Sequence, residues 1–192
     1  MLEYQRPGRN KDTIINSSYI NGGEYRRKFD KITKNDKINR ILYSKAKEML
    51  FHRSGTLFED MYWLDGDTGE IIAKALDETE EEKIEYTPSI SKAINGRDNL
   101  ITMHTHPNSM PPSMADFNSC FKHSYGQSLV LCHDGTVYSY TSNQKVPEKL
   151  YDIYIKKFGI NGNTDKEAEK DAQLKTLLQI SRNYSINFKE IK

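Results

Sequence analysis

An α/β fold, in which a mixed sheet is flanked by helices, is the architecture this sequence predicts, and three observations carry it. Two pairs of apolar runs, at 57–75 and 128–141, are joined by short turns containing Asp and Gly and therefore form hairpins. Between them lies a buried-type strand at 99–104. The segments separating these strands carry apolar residues at three- and four-residue spacing, the mark of amphipathic helices.

Residues 1–19 are polar and turn-rich around Arg6-Pro7-Gly8-Arg9-Asn10, which predicts a loose arm, with a short strand at 13–15. A short helix is expected over 23–29 before the break at Lys34-Asn35-Asp36. With Asp36 as N-cap, Ile38, Ile41, Leu42, Ala46, Met49 and Leu50 line one face of a helix over 37–52. The run 57–64 is apolar at both parities and so predicts an interior strand. A turn at 65–69 leads to a partner strand at 70–75. The acidic run 77–82 lacks the spacing and central glycine of a calcium loop and is expected as a solvated hairpin tip, with strand again at 83–86. Thr87-Pro88 opens a short helix through Ile94 that Gly96 stops. After the strand at 99–104, prolines 107, 111 and 112 hold the chain out of regular structure. A helix over 113–123 precedes the second hairpin. The C-terminal part is predicted helical over 148–158 and 165–182, with Thr164 and Glu167 as a capping box.

The 192 residues fit one domain able to bury a core. Nothing in the chain resembles a membrane span or an export signal, so a cytoplasmic protein with no membrane partner is expected. Two cysteines, Cys120 and Cys132, form no disulfide framework and suit core positions in a reducing compartment. Residues 1–53 hold thirteen Lys or Arg against six Asp or Glu, whereas 54–100 hold four against twelve. The basic third admits a nucleic-acid or acidic partner, but without interleaved aromatics a solvated surface is the preferred explanation.

The chemistry concentrates at His104-Thr105-His106-Pro107 and Ser113-Met114-Ala115-Asp116. Residues i and i+2 of a strand share a face, so His104 and His106 can present both imidazoles to one ion, with Asp116 as the third ligand. Two imidazoles and a carboxylate suit Zn2+ and leave a position for water, whose acidity the ion would raise. A base is then needed. Glu59, set among Leu57, Phe58, Met61, Tyr62 and Trp63, is the candidate, although a frayed, water-facing end of the strand would explain it equally well. Asp60 points to the opposite face. Ser113 fits a helix cap, and its hydroxyl could also donate to an oxyanion. His52, His123 and His133 are expected as surface or capping residues.

These residues resemble the JAMM, or MPN-plus, zinc metallopeptidases, whose pattern is an upstream Glu, His-Ser/Thr-His-Pro, a loop, and Ser-x-x-Asp. The resemblance covers the stretch from the helix at 37 to the strand at 140. It implies a cytidine-deaminase-like α/β/α sandwich, hydrolysis of a peptide or isopeptide bond, zinc on His104, His106 and Asp116, a proton shuttle at Glu59 and oxyanion stabilisation by Ser113. The loop from Pro107 to Pro112 is a residue shorter than the family's usual spacing, and Asp60-Met61-Tyr62 replaces the small residues that commonly follow the family's Glu. On this basis 1–35 is a polar arm, 36–142 the metallopeptidase-like core and 143–192 a helical extension. The implied substrate is a polypeptide, with ubiquitin-like tails and peptide cross-links among the amide bonds that fit. Two alternatives differ in class: a non-catalytic interaction module on the same fold, and a nucleic-acid-associated JAB-domain protein.

Overall fold

The computed structural model describes residues 10–157, 166–181 and 183–192. Six strands form one mixed sheet in the order β2-β1-β3-β4-β5-β6. They are β1 (Met61–Asp65), β2 (Ile71–Ala75), β3 (Leu100–His106), β4 (Gln127–Cys132), β5 (Val137–Ser142) and β6 (Ile186–Glu190). β3 and β4 run parallel, and the other neighbours are antiparallel. A parallel pair needs a crossover, supplied here by α5 (Met114–Lys122).

Helices cover both faces. On one side α1 (Ser17–Ile20), α2 (Gly23–Arg27) and α3 (Asp36–Arg53) bury Ile20, Tyr25, Leu42 and Met49 against Tyr62, Met103 and Leu131 of the sheet. On the other, α4 (Pro88–Ile94), α5, α6 (Leu150–Lys157) and α7 (Lys166–Ile180) bury Ile94, Phe117, Leu150 and Leu177 against Trp63, Val130 and Tyr140. Each large side chain so buried contributes roughly 1.5–3 kcal/mol. With both faces covered, every residue of β3 is buried. The α/β sandwich expected from the sequence is the observed fold.

Several local expectations change. The helix at α3 is capped by Asn35, whose side chain accepts from the Lys37 and Ile38 amides, and Asp36 is already in its first turn. Residues 11–13 make a 3-10 turn in place of a strand at 13–15. The ladder begins at Met61, so 57–60 stand outside the strand expected at 57–64. Residues 83–86 form no strand; Glu82, at φ 54°, turns the chain instead. β6 was not anticipated: its two apolar residues are too few for a pattern, and pairing with β5 makes it a strand. From the expected polar arm, Ile15, Ile20, Tyr25 and Phe29 pack into the core beneath α3. The expected turn at 6–9 and the Thr164 cap lie outside the described residues. Among the described residues no helix is long and apolar enough to cross a membrane.

Candidate metal centre

The site lies where β3 ends and α5 begins. Strand alternation puts His104 and His106 on the same face, the one that carries α5. Their Nε2 atoms approach to 3.0 Å. Thr105, between them, faces the opposite side. Asp116 arrives from the first turn of α5, with its Oδ1 3.3 Å from His104 Nε2 and its Oδ2 3.5 Å from His106 Nε2.

Ser113 explains why Asp116 is so placed. As N-cap its hydroxyl accepts from the Asp116 amide, while Asp116 Oδ2 accepts from the Ser113 amide at 2.7 Å and from its hydroxyl at 2.8 Å. The cap and the ligand position are therefore one structure. The Ser113 proton that an oxyanion would need is spent on Asp116.

Glu59 is 7% exposed, which removes the water-facing alternative. The antiparallel register pairs Met61 with His104, and just before it the Asp60 carbonyl accepts from the Thr105 amide, so the chain at Glu59 runs beside the end of β3 that carries His106. The ligand atoms of Glu59, His104 and His106 all lie within 4.8 Å of one another, close enough to hold a metal ion. Asp116, with its oxygens 3.3 and 3.5 Å from the two imidazole nitrogens, brings a further carboxylate to the histidine pair.

The donor set fits zinc. The carbonyl of Met110 accepts from His106 Nδ1 at 2.9 Å, so Nδ1 carries the proton and the Nε2 lone pair points into the site. Two facing Nε2 atoms at 3.0 Å require a proton or a cation between them. In a tetrahedral site with Zn–N about 2.0–2.1 Å the two nitrogens would stand about 3.3 Å apart, near the spacing found. His104 Nδ1 is buried without a hydrogen-bond partner among the described residues.

Electrostatics favour a cation here. Burial opposes protonation of His106, yet the Asp116 and Glu59 carboxylates and the Met110 carbonyl together push its pKa up to about 9. Asp116 is held well below the usual carboxylate range: burial works against this, and the two imidazoles outweigh it. Glu59 is raised, burial being the main cause, against the pull of His106 and His104. One carboxylate is thus held anionic while the other is pushed toward its protonated form.

Sequence reasoning missed what holds Glu59 in place. Asp60 is fully buried on the opposite face, where its carboxylate meets Arg53 Nε at 2.5 Å and His52 Nδ1 at 2.7 Å. Its amide donates to Thr105 Oγ1 at 3.0 Å, and its carbonyl accepts from the Thr105 amide at 3.1 Å. The residue after Glu59 is therefore locked to the residue between the two histidines. A charged residue after the Glu, in an apolar run, was the available signal. His52 is a partner of this ion pair, and the His123 ring stacks with those of Tyr86 and Tyr125. His133, expected as a surface or capping residue, is buried with Nδ1 donating to Thr13 O at 2.6 Å. Cys120 and Cys132 are free and buried, as expected.

The centre opens into a cleft of about 700 Å³, walled by residues 82–86, by α5 and by the first half of α7. Compared with protein-family models, with curated proteins and with solved structures, the chain matches none.

Proposed function

We propose that the chain is a zinc-dependent hydrolase of the JAMM type, cleaving a peptide or isopeptide bond in a polypeptide. The observation that carries this is the convergence of His104 Nε2, His106 Nε2 and the Asp116 carboxylate at 3.0–3.5 Å, with buried Glu59 beside them, at the base of an open cleft. Zinc held by His104, His106 and Asp116 would polarise a substrate carbonyl and acidify a water molecule.

The chain's own groups supply the rest. Glu59, with its raised pKa, accepts the proton of the attacking water and returns it to the departing amine nitrogen. Ser113 holds Asp116, and donates to an oxyanion only by releasing Asp116 Oδ2. Tyr86, Tyr125, Tyr140 and Tyr151 line the cleft and limit the water around the reacting atoms. Two free cysteines fit a reducing compartment such as the cytoplasm.

Metal analysis of the purified chain beside His104→Ala and Asp116→Ala tests the proposal. Near-stoichiometric zinc in the parent and its loss from both variants is expected. A parent that stays metal-free after zinc addition and removal of excess would overturn the assignment. Glu59→Gln should keep the metal and lose nearly all turnover of a cleavable polypeptide; full turnover would assign the base elsewhere.

A further inference from the structure

We propose that the corner between α2 and α3 binds single-stranded nucleic acid, one nucleotide seating in a pocket between Arg26 and Arg40. The inference stands apart from the metal assignment and needs no zinc. Helices α2 and α3 cover one face of the sheet, and α5 with the metal centre the other, so the sheet separates the two sites.

Charge and shape carry it together. Residues 23–40 hold seven Lys or Arg against Glu24, Asp30 and Asp36. Lys28 is engaged, its Nζ donating to the Gly135 carbonyl at 3.0 Å. The other six, Arg26, Arg27, Lys31, Lys34, Lys37 and Arg40, are exposed and form no ion pair among the described residues. Such an excess, left unneutralised within its own stretch, is the electrostatic footprint of a polyanion site.

The fold adds a concavity of about 450 Å³, lined by Arg26 and Asp30 beside α2 and by Asp36, Arg40 and Tyr43 of α3. The three α3 residues share one helix face, since they stand four and three positions apart. Among the described residues, the two guanidiniums and two carboxylates of this pocket form no ion pair with one another, so each keeps its donors or acceptors for a ligand. Asn39, also in the lining, is spent: its carboxamide bonds Thr33 and the Asp30 carbonyl.

That mixed lining selects the ligand. Guanidiniums take phosphate oxygens two at a time. The carboxylates would repel a polyanion unless it carries donors between its charges, as a nucleic acid does in the exocyclic amino groups of its bases. An acidic peptide has only acceptors on its side chains. A single strand leaves the base amino groups free, whereas a duplex pairs them. The four exposed cations outside the pocket call for more phosphates than a mononucleotide brings. A membrane surface would want an apolar anchor, and among the described residues no exposed large apolar side chain falls within 23–40.

Fluorescence anisotropy of short labelled oligo(dC) and oligo(dT) on the full chain tests this. Raising salt from about 50 to about 200 mM should weaken oligo(dC) binding about 20–50-fold, as three or four phosphate contacts give. At the lower salt, Arg26→Ala combined with Arg40→Ala should cost about tenfold or more. Lys149→Ala combined with Lys156→Ala removes the same charge around α6, on the opposite face, and should leave binding nearly unchanged. The parent should prefer oligo(dC), whose bases carry an amino group, to oligo(dT), and Asp30→Ala should erase the preference. The salt and base comparisons use the parent alone and hold even if a variant misfolds. Absent binding at the lower salt, equal losses in the two double variants, or no preference for oligo(dC) would each overturn the proposal. So would polyglutamate or CMP competing as well as unlabelled oligo(dC), or tighter binding of the duplex.

Discussion

Arg53→Met removes the charge lying against Asp60, a carboxylate with no exposed surface. Breaking a buried ion pair by deleting one partner costs about 3–5 kcal/mol, because the other charge stays behind in a poor solvent for it. His52 remains at 2.7 Å but is itself half-exposed, so it compensates only in part. The carbonyl of Leu76, which accepts from Arg53 Nη2 at 2.6 Å, also loses its donor. In a chain of this size each kcal/mol lowers the melting temperature by about 2–4 °C, giving a fall of about 6–20 °C. The loss should depend on pH. Burial already raises the Asp60 pKa, against the pull of Arg53 and His52, and removing Arg53 raises it further. A folded pKa above the unfolded value of about 3.9 means that the folded chain keeps a proton the unfolded chain has released. Stability then falls as pH rises from about 4 toward the folded pKa, by at most about 1.4 kcal/mol per pH unit. The deficit against the parent, measured by urea denaturation, should accordingly be larger at pH 7.5 than at pH 5. Adding Asp60→Asn to Arg53→Met leaves no charge stranded and should recover part of the loss. A deficit below about 1 kcal/mol at pH 7.5, a deficit independent of pH, or a double variant no better than the single one would refute the reasoning.

Three further outcomes are expected. Zinc must displace the proton that holds His106 at a pKa of about 9, so apparent affinity should rise about tenfold per pH unit from 7 to 9. Calorimetry at pH 7 in two buffers of different ionisation enthalpy should show about one proton released, and equal heats would contradict this. Ser113→Ala removes the α5 cap and one of the two donors to Asp116 Oδ2; it should cost about 1 kcal/mol in denaturant and weaken zinc about 10–100-fold against a chromophoric chelator. Gly135→Ala places a Cβ 2.5 Å from the Tyr19 ring at a backbone φ of +86°, so thermal unfolding should report a loss of about 1–3 kcal/mol.

Elements with a strong local signal were legible before the fold was seen. The long apolar face of α3, both hairpins and the buried strand carrying His104 and His106 stand where periodicity puts them. Ser113 and Asp116 were legible for the same reason: a capping box is a contact within one helical turn. The misses lie where a partner decides the conformation. Residues 83–86 have strand-like composition but no ladder to join, and β6 has little pattern but an open edge at β5.

At the site the division is similar. The sequence by itself determined the donor types, because i and i+2 spacing in a strand and a carboxylate in the first turn of a helix are local geometry. Only the tertiary structure decided that Glu59 is buried beside them, since that depends on the β1–β3 register across 45 residues of chain and on the Arg53–Asp60–Thr105 contacts behind it. It alone also brought Trp63, Tyr86, Ser119 and Tyr125 into one network of hydrogen bonds. Such contacts join segments far apart in the chain, and no period in the sequence records which of them will meet.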